Sequence, residues 1–374
     1  MQKIRILIYL LCSIVSAQVF AEEASFKQWQ GNAEWPKTDF SKYNVSPDEI
    51  LSGGPPKDGI PAIDSPKFES PAFAKKWLND LEPVIAVSHN GHSRAYPLQI
   101  LIFHEIVNDK LGDEYIAVTF CPLCNASIVF DRKVANQVLD FGTTGRLRNS
   151  DLIMYDRQTE SWWQQFTGKG IIGEFTNTQL SELPAQIIAF KTFRQHYPNS
   201  KVLSRNTGYD RPYGKNPYRG YDDINNTPFL LKGPVDKRLP PMERVISVSV
   251  ENKSRLYPFG QLKNTAVLND EFNKVPLVIF ATDTVYSALD QSHISASKLI
   301  PSYTVFSREL DGVTLKFVLK NNKIFDKQTQ SQWSALGAAI KGTLKGKMLK
   351  PLIYGQHFAF AWLAFKPDAE IYMR

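Results

Sequence analysis

The chain contains itself twice, and this constrains its fold more than any other feature. Val84-Ile-Ala-Val87 is echoed by Val245-Ile-Ser-Val248, and Ser93-Arg-Ala-Tyr-Pro97 by Ser254-Arg-Leu-Tyr-Pro258. Asn108-Asp109 returns as Asn269-Asp270, still in step. Tyr155-Asp-Arg-Gln-Thr159 returns as Phe325-Asp-Lys-Gln-Thr329, Ser161 and Trp163 as Ser331 and Trp333, and Pro198 as Pro367. The matches are collinear with small gaps, an order that chance similarity would not keep. The period is far too long for a solenoid. A tandem duplication follows: two similar domains, or two halves of one pseudo-symmetric domain. The 374 residues suffice for two units with their own cores.

Each copy mixes strands with short helices. Val84 to Val87 and Arg94 to Tyr96 read as a hairpin turning at Asn90-Gly91. Leu98 to Val107 has apolar residues at helical spacing after Pro97. Tyr115 to Phe120, Ser127 to Phe130, Val138 to Phe141 and Leu152 to Tyr155 are rich in strand formers. Ile188 to Tyr197 reads as a helix stopped before Pro198. Strands mostly follow one another, so the expected class is α+β, with mainly antiparallel β-sheets, short flanking helices and an internal tandem duplication. The expected divisions are a signal peptide over 1–21, a lead-in over 22–80, a first repeat over 81–204, a linker or lid over 205–243, and a second, degenerate repeat over 244–374. The lead-in holds Ser52-Gly-Gly-Pro-Pro-Lys-Asp-Gly-Ile-Pro61, a loop by composition. The linker holds Tyr209, Tyr213, Tyr218 and Tyr221 among glycines, prolines and arginines. It reads as an ordered connection packed over both halves, or as a lid over a site.

Lys3 and Arg5 precede the apolar run Ile6 to Phe20, and Val19-Phe20-Ala21 offers a small-residue cleavage site. This reads as a secretory signal, with an uncleaved anchor as the alternative. The expected location is the periplasm or outside the cell. No later run is long enough to span a bilayer, and Phe358 to Phe365 is a buried-segment candidate. The formal net charge is +7 but contains no basic run, so no nucleic-acid partner is expected.

With the leader removed, taking Cys12 with it, Cys121 and Cys124 are the remaining cysteines. The second copy acts as an internal control on them. Features present in both copies, such as Asn108-Asp109, Asp156, Thr159 and Trp163, are assigned first to the fold. An Asn-Asp pair after a helix can cap or turn the chain through its side chains. Features in one copy are free to serve a site. His104-Glu105 is replaced by Thr265-Ala266. With Phe120 aligned on Phe280, Cys121-Pro-Leu-Cys124 is replaced by Ala281-Thr-Asp-Thr284.

Residues after Cys124 read as a strand, whereas a thioredoxin-like active site opens a helix. Strand, Cys-Pro-x-Cys-Asn, strand resembles the knuckle turn of rubredoxins and zinc ribbons, with Asn125 suited to a left-handed conformation. No second knuckle is present, so further ligands would come from His104, Glu105 or elsewhere. Two sulfurs and one imidazole suit zinc or copper, and an open fourth position would allow catalysis. The candidate metal ligands are Cys121, Cys124 and His104. The candidate catalytic residues are His104, Glu105, Cys121 and Cys124, with Glu105 beside the metal or in acid–base work. Alternatives are thiol–disulfide exchange, with His104 activating a thiolate, and a structural disulfide in a non-catalytic envelope binding protein. The partner would be a small molecule or a redox protein. His89 and His92 form a His-x-x-His pair at a hairpin turn, more simply a solvated turn. His196, His293 and His357 are isolated. No phosphate loop, serine-hydrolase elbow or zinc-protease motif is present.

His104-Glu-Ile-Val-Asn-Asp109, Phe120-Cys-Pro-Leu-Cys124, Val129-Phe-Asp-Arg132, Phe141-Gly142, Asn149 to Arg157, Trp163 and Thr207-Gly-Tyr-Asp210 together resemble the uncharacterised bacterial "domain of unknown function 3179" family. The likeness is close over the middle third of the chain. It implies that His104, Glu105, Cys121 and Cys124 belong to a family pattern, which His89 and His92 do not obviously share. It supplies no established reaction. Asn125, where a small residue is usual, is a mild departure that the turn should accept.

Overall fold

The structure, a computed structural model, describes residues 26–374. The expected leader and Cys12 lie outside the described residues. Antiparallel sheets dominate, with short helices at their edges. Among the described residues no helix is long and apolar enough to cross a membrane.

The first copy opens with the hairpin Pro83–His89 and His92–Pro97. Asn90 and Gly91 both have positive φ, at 46° and 78°, the conformation a two-residue hairpin turn needs. Side chains alternate along the strand. Val84 and Ala86 enter one core and Ile85 and Val87 another. Strand Ala185–Ala189 flanks this hairpin on one side, and Lys201–Leu203 lies parallel to the other. The second copy repeats the arrangement with Arg244–Val250, Lys253–Pro258, Tyr354–Phe358 and Glu370–Ile371, again with the last strand parallel. Helix Phe190–His196 corresponds to Ala359–Phe365, the apolar segment that the sequence marks as buried.

The duplication extends to individual hydrogen bonds. The Asn108 side chain clasps the backbone of Phe141 (2.8 and 2.9 Å), and Asn269 clasps Phe317 (2.8 Å for both bonds). Asp109 accepts from Tyr96 and Arg94, and Asp270 accepts from Tyr257 and Arg255. Asp156 accepts from Thr159 N and Trp163 Nε1, and Asp326 from Thr329 N and Trp333 Nε1. Asn108 and Asp109 thus serve the fold, but from mid-strand rather than as a cap. One large core joins Ile85, Cys121 and Trp163 of the first copy to Phe358 and Phe360 of the second.

Three local readings are corrected. The helix expected over 98–107 covers only Leu98–Leu101, and Ile106–Leu111 is a strand. Leu98, Gln99, Ile100 and Leu101 are all buried, so the apolar spacing reflects burial on every side rather than one amphipathic face. The helix expected from Ile188 starts at Phe190, because Ile188 and Ala189 complete a strand against Val84 and Pro83. The alignment of Phe120 on Phe280 is one residue out. Phe120 N donates to Glu105 O, and the matching bond runs from Ala281 N to Ala266 O. Cys121 therefore corresponds to Thr282. Where the first copy turns back at once through 122–125, the second makes an excursion over 283–301 before strand Tyr303–Ser307.

Candidate metal centre

Strand Glu114–Cys121 delivers Cys121 at its end, paired with Ala126 at the start of Ala126–Asp131. The chain reverses between them in a tight turn. Asn125 N donates to Pro122 O at 3.1 Å, and Asn125 takes φ 51°. The knuckle geometry and the left-handed Asn125 match the reading of the sequence. Phe358 N, from the second copy, donates to Cys124 O at 3.0 Å and fixes the turn. Both thiols are buried and free. The disulfide staple is thus absent from this structure.

The third member is Asp151. Asn149 and Ser150 both adopt positive φ, 51° and 69°, and turn strand Phe141–Arg148 into Asp151–Asp156. This places Asp151 at the thiols. One ligand atom from each of Cys121, Cys124 and Asp151 lies within 4.8 Å of the others. Asp151 Oδ2 accepts from Gln164 Nε2 (2.6 Å) and Phe166 N (2.8 Å). Oδ1 is buried with no nitrogen or oxygen donor and faces the two thiols, weak donors whose hydrogen bonds pull the carboxyl down. A buried carboxylate oxygen met only by thiols, which are weak donors, carries a desolvation cost that a cation would offset.

Glu105 stands beside this group, its backbone held at φ 57°. Burial, and then the charge of Asp151, push its carboxyl up to about 8. Burial pushes Asp151 up to about 7, against hydrogen bonds that pull it down. Burial likewise raises both thiols. The charges that weigh on these four groups are one another's, and all are negative. Such a cluster keeps its protons unless a cation is bound.

His104 is not brought into the cluster. Its buried ring directs Nδ1 to Pro61 O (2.7 Å) and Nε2 to the Tyr213 hydroxyl (2.6 Å), which also meets Thr207 Oγ1. With both nitrogens engaged elsewhere, His104 does not converge with the sulfurs, and Asp151 holds the third place. Burial lowers its pKa, consistent with a neutral ring that donates from Nδ1. His89 and His92 pair across the first hairpin and are not among the residues that gather at the thiols.

The linker supplies the cover. Tyr213, Tyr218 and Tyr221 pack against the core containing Cys121 and Cys124. Burial raises the Tyr218 phenol, with further upward pressure from Glu105 and Cys121. Burial pushes Tyr221 up to about 12, Cys124 adding to the shift. Sequence reasoning missed Asp151, although the internal control held a sign of it. Arg148 pairs with Asp151 at the end of one hairpin and Lys320 with Lys323 at the end of the other. The second copy thus carries a cation where the first has the carboxylate. The hairpins differ in length, which hides the match.

A family model described as "Protein of unknown function (DUF3179)" matches residues 57–369. No curated protein and no solved structure matches the chain. The match takes in both copies, the thiol turn, Asp151 and the tyrosine linker, and the chain belongs to the DUF3179 family.

Proposed function

We propose that the chain is an exported metal-centre protein of oxidoreductase type, with Cys121, Cys124 and Asp151 as ligands. One observation carries this reading: three soft and hard donors converge in a buried place where Asp151 Oδ1 meets only the two thiols and, among the described residues, no positive charge weighs on the acids. The donor set fits. Two thiolates select zinc or copper over magnesium or calcium, and three protein ligands leave a position open. Bound there, zinc would polarise a substrate oxygen, or copper would pass an electron.

The surrounding residues have separate tasks. Glu105, protonated near neutrality, holds a proton at its carboxyl and can exchange it with a small molecule beside the sulfurs. Tyr218 and Tyr221 exclude bulk water, which strengthens every charge interaction inside. His104, through Tyr213 and Pro61, holds the linker to the segment before the first copy. The apolar run Ile6 to Phe20 supports export to the periplasm. Thiol–disulfide exchange with a redox protein fits less well. The attacking species is the thiolate, and burial disfavours it at both cysteines.

The test is metal analysis of the purified mature protein with thiol titration before and after chelation. About one zinc or copper per chain is expected, with both thiols unreactive until chelation. Cys121→Ser and Asp151→Asn should lose the metal. Metal-free protein whose two thiols cycle in a redox buffer would instead establish exchange.

A further inference from the structure

A cavity is lined in part by residues that follow the cysteine turn. Strand Ala126–Asp131 of the first copy and Tyr354–Phe358 of the second are tied together by the bond from Phe358 N to Cys124 O. Residues of both strands line this cavity, whose volume is about 330 Å³. That is the lower end of the range for small-molecule sites. Its walls carry Phe166, Tyr354 and Trp362, and its polar groups include Glu182, Ser127 and His357.

Two features decide what it would take. The Glu182 side chain is half-buried on strand Glu182–Leu183, and partial desolvation raises its pKa. Among the described residues it has no ion-pair partner. Ser127 Oγ is also buried without a partner. Nothing positive competes for the carboxylate. His357 is committed to Ser247 Oγ at 2.7 Å and stacks on Trp362 with centroids 5.2 Å apart. Burial holds it down to about 4, so it is neutral. An anion would meet Glu182 and be repelled. A cation would pair with a half-buried charge that has no ion-pair partner among the described residues, and would face aromatic rings whose quadrupoles favour it.

We propose that this cavity binds a small organic ammonium ion with an apolar body, its nitrogen at Glu182 and its body against Phe166 and Trp362. The site is separate from the thiol centre and stands whether or not that centre holds metal. Calorimetric titration of the full mature chain at pH 8.5 tests it, with 2-phenylethylamine hydrochloride and the neutral 2-phenylethanol as probes. Saturable one-site binding of the amine is expected, at least tenfold tighter than the alcohol, with at least a tenfold loss in Glu182→Gln. Ala185→Phe, which fills the cavity, should abolish it. No saturable binding, equal binding of the alcohol, or full binding by a folded Glu182→Gln would overturn the proposal. The amine–alcohol comparison uses wild-type protein and stands even if a variant fails to fold.

Discussion

The two copies share a frame bond for bond and differ where chemistry would sit. Asn108 and Asn269 make the same backbone clasp, and Asp156 and Asp326 the same turn. Yet Glu105 faces Ala266 in the comparison, Cys121 faces Thr282, and Asp151 faces Lys323. The second copy also gains something. In place of the short cysteine turn it extends the chain over 283–301, and that excursion grips the linker. Asn216 N donates to Ser292 O (2.9 Å), Gly220 N to Asp290 O (2.7 Å), and Ile294 N to Gly214 O (3.0 Å). The linker tyrosines held there pack against the core around the first copy's thiols. One copy therefore presents the acidic cluster, and the other braces the linker whose tyrosines pack against it.

The shared frame can be broken at its strongest point. Asp156→Ala and Asp326→Ala each leave a buried Trp Nε1 and a Thr hydroxyl and amide without their acceptor. Each should cost about 3–5 kcal/mol in urea unfolding. Similar losses in both copies would support a common frame, and a loss in only one would break the equivalence.

A second contrast separates the copies by pH. In metal-free protein Glu105 and Asp151 are raised to about 8 and about 7, from 4.5 and 3.8. The folded state must keep protons that the unfolded chain releases. Their contribution is therefore fully present below about pH 4 and is lost as pH rises through 7 and 8. Glu105→Gln should remove the larger part of that decline in unfolding curves taken from pH 4 to 8.5. Ala266→Gln, at the matching place in the second copy, should leave its shape unchanged.

The smallest contrast concerns the two asparagines. Asn108 is buried and also donates to Asp64, whereas Asn269 is partly exposed. Asn108→Ala should cost about 2 kcal/mol and Asn269→Ala about 1 kcal/mol by the same measurement. Equal costs would show that burial does not distinguish the two clasps.

The duplication was legible because its matches keep their order along the chain, and the first hairpin and the left-handed Asn125 because each is written in nearby residues. The helix misread over 98–107 was not, since burial on all sides imitates helical spacing in so short a run. Asp151 stayed hidden because its hairpin is longer than its counterpart, which shifts the alignment just where it matters. The convergence of Tyr218 and Tyr221 on the thiols depends on contacts far apart in sequence and on an excursion in the other copy, which no local pattern encodes. His104 was legible as special to one copy, but its neighbour Glu105 is the one turned toward the sulfurs.

The central claim is that Cys121, Cys124 and Asp151 together bind one metal ion. The most direct measurement is the absorption spectrum of mature protein titrated with cobalt(II), a spectroscopic stand-in for zinc. The account predicts a sulfur-to-cobalt charge-transfer band saturating at about one ion per chain. That band should be lost in Cys121→Ser, and Asp151→Asn should no longer saturate at one ion per chain. A spectrum of cobalt in water, unchanged by the protein, would contradict it.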